Sequence, residues 1–250
     1  GLLLSVRFWH EEKQKIVLRR AFSRYVSPEV VKQISKRQGD LLAGENRELS
    51  ILFTDIRGFT SLSESLSPQD VVQLLNRYFT PMTAIVRNRK GTLDKFIGDA
   101  LMAFWNAPLD VHNHPALAVD AALCMQEQLE ALNVEIEASF GIRLAMGAGV
   151  HTGQAYVGNM GSDDLINYTL IGDNVNLASR LEGLCKRYGV PVVVSEHTMQ
   201  GCGDAFAFVH LDVLRVKGKT KPVSIYWPMR PGTDEVFQQA MPQWLAARSQ

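Results

Sequence analysis

The sequence predicts an α+β domain built on a ferredoxin-like βαββαβ core, preceded by a helical connector. Two kinds of observation carry that prediction. Short apolar runs rich in β-forming residues alternate with longer segments whose apolar residues recur at helical spacing, and Ser, Pro and Gly signals stand at the joints between them. The order of the runs is the order of a ferredoxin-like sheet with helices packed on one face. At 250 residues and 46% hydrophobic content, the chain can bury one sizeable core with flanking pieces.

Taken in order, residues 8–38 read as helix, with Leu18, Phe22 and Val26 at four-residue spacing. Ser27–Pro28 supplies an N-cap and a first-turn proline that restart the helix through Val30, Val31 and Ile34. The Gly39–Glu45 stretch breaks the pattern. From Leu49, LSILFTDI is a short apolar run and predicts a buried strand ending at Asp55. Ser67–Pro68–Gln69–Asp70 reads as a capping box, opening a helix with Val71, Leu74, Leu75, Tyr78 and Met82 on one face. Thr92–Ile97 and Ala100–Trp105, divided by Gly98–Asp99, predict a hairpin. Pro115 opens a second helix, with Ala122, Met125, Leu129 and Leu132 inward. Arg143–His151 and Gln154–Asn159 read as two strands turning at Thr152–Gly153. A helix over Val175–Tyr188 and strands over Val192–Ser195, Phe206–Lys217 and Val223–Trp227 complete the pattern. The domain organisation is therefore a linker over 1–47, a folded domain over 48–228 and a tail over 229–250.

Composition narrows the function. Lys+Arg and Asp+Glu are both 26, a formal net charge of zero, which argues against a nucleic-acid partner. A triphosphate substrate remains open, since it needs only a few placed cations. The three cysteines, Cys124, Cys185 and Cys202, lack metal-ligand spacing; they read as small buried residues in a reducing compartment. The histidines show no zinc-type clustering. No run approaches the roughly 20 apolar residues that span a bilayer. The opening GLLLSVRFWHEEKQK passes abruptly from apolar to charged, which suits either a frayed helix start or the edge of a membrane segment upstream.

Two aspartates carry the chemistry. Asp55 ends the first predicted strand and Asp99 sits at the tip of the predicted hairpin, each close to a glycine. Alone, either suits a turn. In a ferredoxin-like sheet the first strand and the hairpin are neighbours, so the two carboxylates can converge on one edge. Such a pair suits two divalent cations, which take oxygen ligands and complete their shells with water and phosphate. Two ions about 3.5–4 Å apart activate an attacking oxygen and stabilise a leaving one. The turn after Asp55, through Ile56, Gly58 and Phe59, offers backbone N–H groups to a triphosphate.

FTDIRGFT, DKFIGDALMAFW, GAGVHTG with VGNMG, YTLIGDNVNLASRLE and VKGKTKPV, in this order, closely resemble the class III adenylyl and guanylyl cyclases over roughly residues 48–228. The resemblance implies a head-to-tail homodimer with sites shared between two chains. It implies that Asp55, Asp99 and the backbone of Ile56 bind two Mg²⁺ or Mn²⁺ ions, with Gly58 and Phe59 at the phosphates. Lys95 and Thr169 match the base-recognition positions. An ammonium at Lys95 donates to adenine N1, whereas guanylyl cyclases usually carry Glu there. The Lys/Thr pair resembles a bacterial-type subgroup, some members of which respond to bicarbonate. Asn176 matches the ribose-holding residue, Arg180 the guanidinium that meets charge on the α-phosphate, and Lys217 the lysine on the β- and γ-phosphates, with Lys219 as a substitute. Asn176 and Arg180 stand four apart, on one helix face.

The activity so implied is conversion of ATP to cyclic AMP and pyrophosphate. The alternatives are a guanylate cyclase, a non-catalytic nucleotide sensor, and a diguanylate-cyclase or polymerase-palm relative; no GGDEF-like hairpin supports the last. RYVSPEVV resembles the linker that precedes the cyclase domain in bacterial CHASE2-type membrane receptors. It implies the cytoplasmic output domain of an inner-membrane-anchored receptor, with a sensor upstream and residues 1–47 passing the signal on.

Overall fold

The computed structural model of the chain describes residues 44–162, 166–215 and 222–232. The expected connector helices, Lys217, Lys219 and most of the tail lie outside the described residues. Two compact units are defined. Among the described residues, one comprises 46–157, 170–215 and 222–232, and the other comprises 44–45, 158–162 and 166–169.

The first unit holds the predicted core. The strands of the described residues are β1 (Glu45–Ile56), β2 (Thr92–Ile97), β3 (Ala100–Trp105), β4 (Met146–Gly161), β6 (Val192–Ser195), β7 (Ala207–Leu214) and β8 (Val223–Met229), in the order β2-β3-β1-β4-β6-β8-β7; β5 (Ile166–Ile171) pairs with β4 off this path. The first four strands stand in the ferredoxin-like order, as the sequence predicts. β1 runs antiparallel to β3 with Ser50 opposite Trp105 and Thr54 opposite Leu101. β6 lies parallel to β4, and β8 and β7 extend the sheet antiparallel.

Helices α2 (Pro68–Asn88) and α3 (His114–Phe140) cover one face. The α2 start forms as read: Ser67 Oγ accepts from the Asp70 backbone N–H at 3.1 Å. Leu74, Tyr78, Met82 and Val86 of α2 and Ala118, Ala122, Met125 and Ile136 of α3 meet Leu52, Leu101, Trp105 and Val150 of the sheet, all fully buried. Burial of one such large side chain contributes about 1.5–3 kcal/mol, so this layer dominates the stability of the unit.

The other face is also covered, which departs from the one-faced packing expected. Helix α4 (Asp173–Tyr188) places Leu177, Leu181 and Cys185 with Val193 and Ile225, while Val192 and Val194 point into the first core. Alternation along VVVS therefore feeds two cores, as the two-residue period of a strand requires. The close seat of α4 depends on glycines: a Cβ on Gly149 would lie 2.2 Å from the Glu182 backbone nitrogen and 2.6 Å from the Ala178 carbonyl.

Other expectations need correction. No turn occurs at Thr152–Gly153; β4 runs unbroken from Met146 to Gly161. The Thr152 hydroxyl is buried and paired with Ser50 and Thr198 at 2.8 and 3.1 Å, which holds the strand extended. β1 begins before Leu49, at Glu45, and ends at Ile56. Two short helices, α1 (Phe59–Glu64) and α5 (Glu196–Gly201), and strand β5 lack a periodic signal long enough to read. Cys185 and Cys202 are buried as expected. Cys124 is only half-buried, with its Sγ receiving the Arg89 and Arg230 guanidinium groups at 2.6 and 3.0 Å.

Candidate active site

Asp55 is the penultimate residue of β1, and Asp99 follows Gly98 in the tight β2–β3 turn, where Gly98 adopts φ 65°. Thr54 sits opposite Leu101, so the register brings Asp55 and Asp99 to the same end of adjacent strands. The expected convergence is present. The two carboxyl groups lie within hydrogen-bonding reach, and Asp55 is pushed up to about 6, by burial first and then by the charge of Asp99 and the bond to it. The Ile56 backbone N–H donates to Asp55 and offsets part of that rise.

A third carboxylate joins them. Glu182 on α4 is half-buried, and a Cβ on Gly147 of β4 would lie 2.4 Å from its Oε1. Burial, then the charges of Asp55 and Asp99, push Glu182 up to about 7, while Arg57 acts in the opposite direction. Arg57 is itself anchored, its Nη2 donating to the Val190 carbonyl at 2.6 Å. Neither Glu182 nor Arg57 is among the site residues expected from the sequence. The only signal for Glu182 was its place two residues after Arg180 in VNLASRLE.

Acidic groups held this close oppose one another's ionisation, which is the donor chemistry that hard divalent cations satisfy. Among the described residues no group of three His, Cys, Asp or Glu side chains forms a closed cage. The facing carboxyl groups of Asp55 and Asp99 fit a hard cation that completes its shell with water and phosphate oxygens. The Ile56–Gly58 turn leads from this pair into α1. Gly58 has φ 70° and open space around its Cβ position, so the backbone angle, rather than crowding within the chain, calls for glycine. Phe59 begins α1 and packs against the main core.

The remaining expected residues are distributed as follows. Lys95 lies exposed on β2 at a bulge, with Nζ 3.3 Å from the buried carboxylate of Asp94. Thr169 is buried in β5 and belongs to the smaller unit. Asn176 and Arg180 are exposed on α4, and Arg180 lines a recess of about 500 Å³ with Leu177, Leu214 and Arg215. At about 100° per residue, Glu182 stands on the opposite side of α4 from Arg180. One face of the helix thus serves the carboxylates of its own chain, while Asn176 and Arg180 turn outward.

The chain belongs to the family described as the adenylate and guanylate cyclase catalytic domain, which matches residues 42–229. It is 38% identical to adenylate cyclase 1 of Rhizobium meliloti over 82% of this chain and 31% of that protein. An adenylate cyclase of Anabaena cylindrica is 35% identical over 82% of this chain and 42% of its own length. The chain thus spans less than half the length of these curated relatives. The crystal structure of the adenylyl cyclase CyaB from P. aeruginosa superposes with a TM-score of 0.71 at 33% identity, covering 77% of this chain and 99% of that one. A guanylyl cyclase crystal structure matches about as well, with a TM-score of 0.69 at 34% identity over 74% of this chain and 93% of its own.

Proposed function

We propose that this domain is the catalytic unit of an adenylate cyclase, converting ATP to 3′,5′-cyclic AMP and pyrophosphate at sites shared by two copies of the chain. The observation that carries the reading is the convergence of Asp55 and Asp99, with Glu182 behind them, in a cyclase-family fold. When held by Asp55, Asp99 and the Ile56 carbonyl, a pair of Mg²⁺ or Mn²⁺ ions supplies Lewis-acid activation of the ribose 3′-OH and neutralises phosphate charge. The 3′-oxygen attacks the α-phosphorus, the bond to the β-phosphate oxygen breaks, and the hydroxyl proton leaves to solvent.

The chain's own residues position and stabilise. The Ile56–Gly58–Phe59 turn faces the phosphates, and Asn176 holds the ribose. Arg180 meets charge growing on the α-phosphate with a permanently charged fork of donors. Lys217 grips the β- and γ-phosphates. Lys95 and Thr169 hydrogen-bond the base, the lysine donating to adenine N1. The outward direction of Asn176 and Arg180, opposite to Glu182 on the same helix, supports a site completed by a partner. Exposed Phe96 and Ile97 beside the Asp99 turn support an apolar contact there.

Among the described residues no helix is long and apolar enough to cross a membrane. The RYVSPEVV resemblance and the greater length of the relatives support an output domain driven by a membrane-anchored sensor upstream. A guanylate cyclase is the second reading, favoured by the equally good structural match to a guanylyl cyclase and opposed by Lys95. Chromatographic product analysis after incubation with ATP or GTP plus Mn²⁺ separates the two. Cyclic AMP from ATP with little cyclic GMP from GTP supports the first, cyclic GMP in excess the second, and no product from the dimeric chain a nucleotide-binding sensor.

A further inference from the structure

His151 lies within β4, buried, and each of its ring nitrogens meets a side chain. Nε2 is 3.0 Å from Asn174 Oδ1, and Nδ1 is 2.7 Å from Ser195 Oγ. Asn174 is the second residue of α4, and its amide nitrogen donates to the Gln154 carbonyl at 2.7 Å. That commitment leaves the amide oxygen to accept from His151 Nε2–H, so Nδ1 is the acceptor of the Ser195 hydroxyl.

Behind His151 the hydrogen bonds continue through the interior. Ser195 Oγ is 3.1 Å from Thr198 Oγ1, which is 3.1 Å from Thr152 Oγ1. Thr152 is 2.8 Å from Ser50 Oγ, and Ser50 is 2.8 Å from Nδ1 of His114, at the start of α3. These hydrogen bonds therefore tie the first turn of α4 to β4, β6, α5, β1 and α3.

Two further features single out the His151–Asn174 contact. Gly172, at the N-cap of α4, offers no side chain to hold the helix start. A Cβ on Gly153 would lie 2.7 Å from Asn174 Nδ2 and 3.1 Å from His151 Nε2, so glycine at 153 keeps the space this clamp needs. We infer that His151 is a positioning residue which, through Asn174, sets where α4 presents Asn176 and Arg180 to the site completed on the partner chain. This inference rests on the shared-site reading above.

Displacement of reacting groups by about 1 Å can cost about 100-fold in rate. Loss of the clamp is expected to lower kcat by about 10-fold or more, with a change below about threefold in KM for ATP. The test uses heterodimers of differently tagged full chains in which an Asp99→Ala chain silences one site. With His151→Ala on the Asp99→Ala chain and a wild-type partner, the working site draws its α4 from the altered chain, and kcat falls. With His151→Ala on the chain that keeps Asp99, the working site draws α4 from the other chain, and kcat stays within about twofold of the unaltered heterodimer. Equal loss in both placements, or loss in neither, overturns the inference. His151→Asn, which retains a donor, and Asn174→Ala, at a half-buried position, serve if His151→Ala does not fold. The first should recover part of the rate and the second should reproduce the placement-dependent loss; reversal of either result counts against the clamp. An Asp99→Ala chain mixed with an Arg180→Ala chain is the control. Failure of that pair to regain activity would bring down the shared-site reading itself, a result distinct from equal loss in both placements.

Discussion

The charge of Asp55 on β1 raises the proton affinity of Glu182 on α4, although the two residues stand far apart in the sequence. This coupling arises because Gly147 and Gly149 let α4 lie directly on the backbone of β4, next to β1 in the sheet. Both carboxylates are partly desolvated, Asp55 also meets the charge of Asp99, and Glu182 meets the charges of both. The fold therefore holds an acidic cluster at a cost in stability, and bound cations would relieve that cost.

Asp99→Asn should accordingly abolish turnover yet stabilise the metal-free protein. Removing one charge relieves Asp55, whose proton affinity is raised by Asp99 after burial. After discount for solvent screening the gain is on the order of 1 kcal/mol, or about 2–4 °C in melting temperature. Thermal melts in chelator at pH 7.5 measure it. In the same assay Mn²⁺ should raise the melting temperature of wild type and leave the variant nearly unmoved. A variant stabilised by Mn²⁺ as strongly as wild type would remove Asp99 from the metal site.

The pH dependence of stability follows from the same groups. Asp55 rises from 3.8 to about 6 and Glu182 from 4.5 to about 7 on folding, so between pH 4 and 7 the native state holds more protons than the unfolded chain. Stability of the metal-free protein from these groups is then greatest below pH 4 and is lost as the pH rises through 7. Glu182→Gln should flatten the upper part of that fall, between pH 5 and 7, in urea titrations with chelator. An unchanged slope would mean that Glu182 is already solvated and ionised.

Gly149→Ala should be far more damaging than Gly147→Ala. The added methyl at 149 meets the backbone of α4, 2.2 Å from the Glu182 nitrogen, and the helix has to move. At 147 it meets the Glu182 carboxylate, the end of a side chain that can turn aside. Overpacking of this kind costs about 1–3 kcal/mol or more, so Gly149→Ala should lower the urea midpoint clearly and Gly147→Ala only slightly. Equal midpoints would contradict the close seat of α4.

Lys95→Glu should shift the base preference from ATP toward GTP, because a carboxylate accepts from guanine N1–H where an ammonium donates to adenine N1. The ratio of kcat/KM for the two nucleotides should change by about 100-fold or more. An unchanged ratio would take Lys95 out of base recognition and leave it as the exposed partner of Asp94.

Much of this protein is determined by its sequence alone. The Ser67 cap, the Gly98 turn and the strand periodicities are local, so they read directly as the first helix, the hairpin and the ferredoxin-like order. Because that order makes β1 and the hairpin neighbours, the meeting of Asp55 and Asp99 was legible before any coordinates. Four features were decided only by tertiary structure. Thr152–Gly153 has turn-forming composition, yet buried hydroxyl partners from β1 and α5 hold it straight. Helix α4 covers the second face of the sheet, a choice made by the alternation of Val192, Val193 and Val194 between two cores. Glu182 became part of the acidic cluster, and His151 part of the α4 clamp, through packing across the sheet. Such effects depend on through-space distance and desolvation, which residue spacing along the chain does not encode.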